Sequence, residues 1–173
     1  MHLWAIGPSM TSDALDPDRW GTLQDFMERT GYQFQRVELL DEALTHSSVC
    51  GEKSDEVRSN ERMEFFGDAV LGFIVTKHLL RRFKEAAEGD LTKKRIESVK
   101  NAHLKEVAEK LDIIRYMRVG RSIESNAQRP ERMAPAALEA VIAAIFMDGG
   151  ECDAKTFIER FILNDAEISW RQL

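Results

Sequence analysis

The sequence predicts an all-α fold, a single helical bundle, and three observations carry the prediction. Between Ser59 and Leu80 the apolar residues Met63, Phe66, Val70, Phe73, Ile74 and Leu80 fall at helical spacing. Apolar residues fill nearly every position from Ala140 to Met147, the composition of a helix buried on most sides. No alternating strand pattern, internal repeat or low-complexity tract competes with the helical reading. With 173 residues the chain is one domain by length, large enough to bury most of its apolar surface around one core.

Taken in order, residues 1–19 read as a disordered leader or cloning-derived segment, with Met10 able to serve as initiator, and the domain is expected over 20–165 with a tail at 166–173. The opening residues have neither the basic start nor the apolar run of a signal peptide, and no segment approaches a membrane span, so a cytoplasmic protein with no membrane partner is expected. Leu23 to Thr30 forms a short amphipathic helix closed by Gly31, and Val37 to Thr45 a second with Leu39, Leu40 and Leu44 inward. Ser47 to Ser59 is a polar loop leading into the next helix, which runs to about Phe83. Asp90 is placed to cap a following segment in which Ile96, Val99, Leu104, Val107 and Leu111 keep helical spacing, as one long helix or two abutting ones. Gly120 to Pro130 is a polar loop. Proline suits a first turn, so the apolar helix starts at Ala134 or Pro135 and ends at Asp148 before Gly149-Gly150, leaving Glu151 to Ile162 as the closing helix.

Lys and Arg total 24 against 30 Asp and Glu, a formal charge of −6, the wrong sign for a protein that simply coats nucleic acid. Cys50 and Cys152 lie far apart with no metal-type spacing and read as reduced thiols. Lys93, Lys94, Arg95 and Lys100 form the densest basic cluster, either a solvated helix face or a phosphate contact.

The chemistry-bearing pattern is acidic. Glu61, Glu64 and Asp68 stand three and then four residues apart on one helical stripe. Like charges so spaced cost an isolated helix ~0.2–0.5 kcal/mol per pair, so a cation must compensate, either Arg62 and its neighbours or a hard divalent ion such as magnesium. Glu139 is conspicuous as an acid inside the most apolar helix. By themselves such residues read as readily as a solvated face and a structural partner for an arginine.

Asn60-Glu61-Arg62-Met63-Glu64-Phe65-Phe66-Gly67-Asp68-Ala69-Val70-Leu71-Gly72 resembles the signature helix of the ribonuclease III endonuclease domain. Thr45-His46-Ser47-Ser48, Glu88-Gly89-Asp90-Leu91 and the segment from Ala137 to Gly150 resemble the other blocks of that family, in the family order, so that the resemblance spans roughly Trp20 to Phe161. It implies magnesium-dependent cleavage of double-stranded RNA in RNA processing, with manganese as a substitute ion. Carried over by position, Glu64, Asp68 and Glu139 are the catalytic and metal-ligating acids, while Glu61 and Glu88 are supporting acids. His46 positions the loop before the signature helix. The resemblance further implies a symmetric homodimer in which Phe65 enters a socket of the partner and a duplex lies across the valley between two acid clusters, with Lys93, Lys94 and Arg95 as candidate RNA contacts. Full-length members add a C-terminal double-stranded-RNA-binding domain, and none is expected within these 173 residues.

One departure stands out. The family carries an aspartate three residues before the later glutamate, and here that position is Ala136. The alternative reading is therefore a degenerate ribonuclease III-like dimer that binds RNA or a ribonucleoprotein without cutting. A helical interaction domain without any RNA role is a third reading, disfavoured because it has no use for converging acids.

Overall fold

The computed structural model describes residues 15–49, 58–124 and 131–164. Helix α1, Pro17–Thr30, opens with Asp16 accepting a hydrogen bond from the Asp18 amide (3.1 Å) and Pro17 in the first turn, where a missing N–H costs nothing. The folded chain thus begins before residue 20. Arg19, expected in the leader, is largely buried, its Nε donating to Asp41 (2.6 Å) and its Nη1 to the Tyr116 carbonyl (2.6 Å), and burial lowers its pKa. Gly31 ends α1 in the left-handed region (φ 75°).

Helix α2, Val37–Ala43, buries Leu39 and Leu40 and is followed by a 3-10 turn at Ser47–Val49. Thr45 forms an isolated bridge with Arg118, in which the His46 amide donates to the Arg118 carbonyl (2.9 Å) and the Arg118 amide to that of Leu44 (2.8 Å). Helix α3 spans Glu61–Arg82, α4 Glu88–Val99, α5 Asn101–Lys110, α6 Ile113–Tyr116, α7 Arg121–Glu124 and α8 Met133–Ile158, which runs on into a π turn at Glu159–Leu163. No strand occurs among the described residues.

The core is built around α8. Its Leu138, Val141, Ile142 and Ile145 are buried against α3, its most extensive neighbour, with α2, α5 and α6 packed around the pair. Each such side chain contributes about 1.5–3 kcal/mol of burial. By length and composition Met133–Leu163 could cross a bilayer, with mean hydropathy 1.4, contrary to the expectation from sequence, but its apolar side chains pack into this core instead.

Three boundary details differ from expectation, at Asp90, at the start of α8 and in the segment after Gly120, and a fourth selects between the two forms expected around Lys100. Asp90 is not a cap, because α4 begins at Glu88 after extended Ala87, and both Glu88 and Asp90 sit in the first turn, where acids suit the helix dipole. Extended Lys100 (ψ 144°) separates α4 from α5, so two abutting helices form. Helix α8 starts at Met133, and its helical conformation breaks at Gly150 (φ 82°, ψ −169°). The segment Gly120 to Pro130 includes α7, while 125–130, like Cys50, lie outside the described residues.

The Gly150 break is pinned by Asp148, whose buried carboxylate accepts from the Gln35 and Arg36 amides and the Tyr32 hydroxyl, each at 2.9 Å. Burial, with the hydrogen bond to Asp148, pushes the Tyr32 hydroxyl well above its usual range. Phe73, Leu80 and Ile96, expected inward by periodicity, are exposed, and Leu71, Val75 and Leu79 occupy the core side of α3.

Candidate active site

The site follows from one close helix crossing. Gly67 on α3 lies against the backbone of Glu139 on α8, so close that a Cβ built on Gly67 would collide with the Glu139 carbonyl oxygen. Only a residue without a side chain permits this approach. Glu64 and Asp68 lie one turn before and one residue after Gly67, so the crossing that admits the glycine delivers both acids beside Glu139.

These residues line an open hollow of about 580 Å³. Helix α3 supplies Glu61, Glu64, Phe65 and Asp68, the α4–α5 junction Val99, Lys100 and Asn101, and α8 supplies Arg132 and Glu139. Ser59 Oγ donates to Glu61 (3.0 Å), tying that acid to the entry of α3. Glu139 is half-buried, and its carboxyl is raised to about 7, first by burial and then by the negative charges of Asp68 and Glu64, with Arg132 opposing. A raised carboxyl beside two further carboxylates is the signature of a site short of positive charge.

The donor set is hard oxygen and fits magnesium or manganese in kind. In position it is incomplete. Among the described residues no three acidic, histidine or cysteine side chains stand together in ligating arrangement. Ala136, half-buried and one turn before Glu139, offers a methyl group where a further oxygen could complete the set, and it is not among the residues lining the hollow.

Glu88 is not brought to the site; it is exposed and accepts from Thr92 Oγ1 (2.8 Å). Lys93 and Arg95 are exposed on α4, and Lys94 lies over the Phe83 ring (4.7 Å to its centre), so none of the three lines the hollow. Lys100 does, with its ammonium paired to Glu97. His46 Nδ1 meets the Ser48 amide (3.1 Å) and hydroxyl (2.9 Å), and that hydroxyl accepts from the Gly120 amide (2.8 Å), a brace for the loop before α3. Phe65 is 82% exposed at the rim of the hollow. Sequence reasoning passed over Gly67 and Arg132. The spacing of Arg132, Ala136 and Glu139, four and then three residues, was the available signal for the latter.

A family model described as ribonuclease-III-like matches residues 36–166. The chain belongs to the ribonuclease III family. It is 41% identical over 140 residues to ribonuclease 3 of Solibacter usitatus, covering 77% of this chain and 52% of that one. With ribonuclease 3 of Listeria welshimeri it shares 39% identity over 148 residues, covering 84% and 63%. The chain therefore spans about half to two thirds of the length of these ribonuclease III relatives. The nuclease domain of ribonuclease III from Campylobacter jejuni superposes with a TM-score of 0.73 at 33% identity, over 81% of this chain and 95% of that one. That domain has a region involved in dimer formation. Giardia Dicer shares the fold alone, at 22% identity and a TM-score of 0.65 over 87% of this chain and 20% of the larger protein. All-helical architecture is thus the ribonuclease III domain fold.

Proposed function

We propose that this chain is the endonuclease domain of a metal-dependent endoribonuclease that acts on double-stranded RNA as a homodimer. The observation that carries the reading is the convergence of Glu64, Asp68 and Glu139 on one hollow across the Gly67 crossing, in a chain of this family. Glu64, Asp68 and Glu139 would hold magnesium, with manganese as a substitute. Bound there, the ion supplies charge relief to the phosphoryl oxygens and a more acidic water. The chain's own residues do the rest. Gly67 sets the separation of the two acid-bearing helices, and Glu61, anchored by Ser59, adds negative charge at the mouth. In the metal-free site Glu139, its carboxyl raised to about 7, can hold a proton that ion binding would release. Lys100 and Asn101 form the facing wall, where phosphate or ribose would lie.

The homodimer rests on α3. Phe65, Ala69, Phe73 and Leu80 are exposed, and together with Thr76 they fall within about 80° of the helix circumference, beside the acid stripe. Two copies seated on that stripe would bring their acids to either side of one valley.

Ala136 and the unassembled ligand set support a second reading, a dimer that binds duplex RNA without cutting it. Cleavage of a plain RNA duplex in magnesium and in manganese, by this chain beside its Ala136→Asp variant, separates the two. Cutting by both proteins establishes the nuclease. Cutting by the variant alone makes Ala136 the lesion in otherwise intact machinery. Failure of both at every protein concentration leaves the binding dimer.

A further inference from the structure

An acidic hollow repels the anion it is meant to receive, so the cations on its walls decide whether a phosphate can enter. Among the described residues two line it, Lys100 and Arg132, facing four carboxylates. Lys100 is committed to Glu97. Arg132 is exposed at the N-terminal boundary of α8, and among the described residues no carboxylate holds it in an ion pair. It precedes Ala136 by four residues and Glu139 by seven, the spacing of one helical stripe, and lines the same hollow as Glu139. Its charge reaches Glu139, where it opposes the effect of Asp68 and Glu64.

We propose that Arg132 is a substrate-contacting residue, its guanidinium taking the non-bridging oxygens of a backbone phosphate of the RNA strand that enters the hollow. The inference rests on the nuclease-domain reading and assigns a specific donor to it. Guanidinium suits the task because its planar fork pairs with two phosphate oxygens at once, which an ammonium cannot do. A purely structural arginine would instead be engaged by a carboxylate, and several stand on the same walls.

Binding of a plain RNA duplex to the full chain in calcium, followed by fluorescence anisotropy across a salt series, tests the assignment. Arg132→Ala is expected to weaken binding about tenfold or more. It is also expected to reduce the slope of log affinity against log salt by about one. Arg132→Lys should keep the slope and recover part of the affinity. Arg29→Ala, altering an exposed arginine of α1 outside the hollow, should change neither. Unchanged affinity and slope for Arg132→Ala, with wild-type binding intact, would overturn the assignment and leave Arg132 a charge partner of Glu139. Absence of duplex binding by the wild type would overturn the nuclease-domain reading and this assignment together.

Discussion

Glu139 is where a single residue most alters the behaviour of the molecule. Its carboxyl is raised in the fold from its ordinary 4.5 to about 7, by burial first and then by Asp68 and Glu64. The folded state therefore favours the protonated form. This group's contribution to stability is fully present below about pH 4.5 and is lost as pH rises through about 7. In chelator, thermal unfolding of the wild type should show that loss across this window, and Glu139→Gln should remove it. The variant should gain on the order of 1–2 kcal/mol at pH 8, less than the full linkage value because solvent screens a half-buried group. Parallel pH profiles for the two proteins would exclude the charge crowding described above. Asp148, also an acid of α8, stands in a different setting, held by three hydrogen-bond donors. Those donors come from the α1–α2 link, far away in sequence, and they mark Asp148 as a structural acid.

At the scale of the element, the glycines show how little a helix pattern says about a helix crossing. Gly21 in α1 and Gly67 in α3 both lie inside helices. A Cβ at Gly21 would meet nothing within 4 Å, whereas one at Gly67 would run into the backbone of Glu139. Gly21→Ala is expected to stabilise the protein by about 0.5–1 kcal/mol. Gly67→Ala should destabilise it by about 1–3 kcal/mol or more as α3 is pushed off α8. Urea denaturation of the two variants beside wild type measures the contrast, and equal midpoints would show that the crossing can yield. The existence of α3 and α8, and the acids they carry, were legible from periodicity and composition. Their closest point of approach was not, because it depends on which faces of two distant segments meet. The same gap explains Phe73 and Leu80. Their spacing fits an apolar stripe, but α3 has apolar residues on two sides, and α8 covers only one of them.

For the whole molecule, the uncovered side of α3 is the consequence. A stripe with Phe65 at 82%, Phe73 at 53% and Leu80 at 59% exposure is more apolar surface than an isolated acidic domain usually leaves in water. The proposed homodimer covers it. Phe65→Ser combined with Phe73→Asp should shift the protein to monomer in sedimentation velocity at micromolar concentration, with the helical content of the wild type retained. A wild type that already sediments as a monomer at high concentration would remove the dimer from the reading and, with it, the two-sided valley. The net charge of −6 acts at this scale as well, because it makes duplex binding depend on local cations and therefore strongly on salt.

The sequence by itself determined the all-helical class and the span of α3, because periodicity is a local property, while the resemblance to the family singled out the acids and the departure at Ala136. It also named Glu88, Lys93, Lys94 and Arg95 as candidates, and these stand outside the residues that line the hollow, since motif order along the chain is not proximity in space. Only the tertiary structure decided which acids share a hollow, that Arg132 stands among them, that Arg19 belongs to the core and that the apolar stripe of α3 faces outward. Each of these depends on the packing of segments far apart in the chain, set by which surfaces fit at close range.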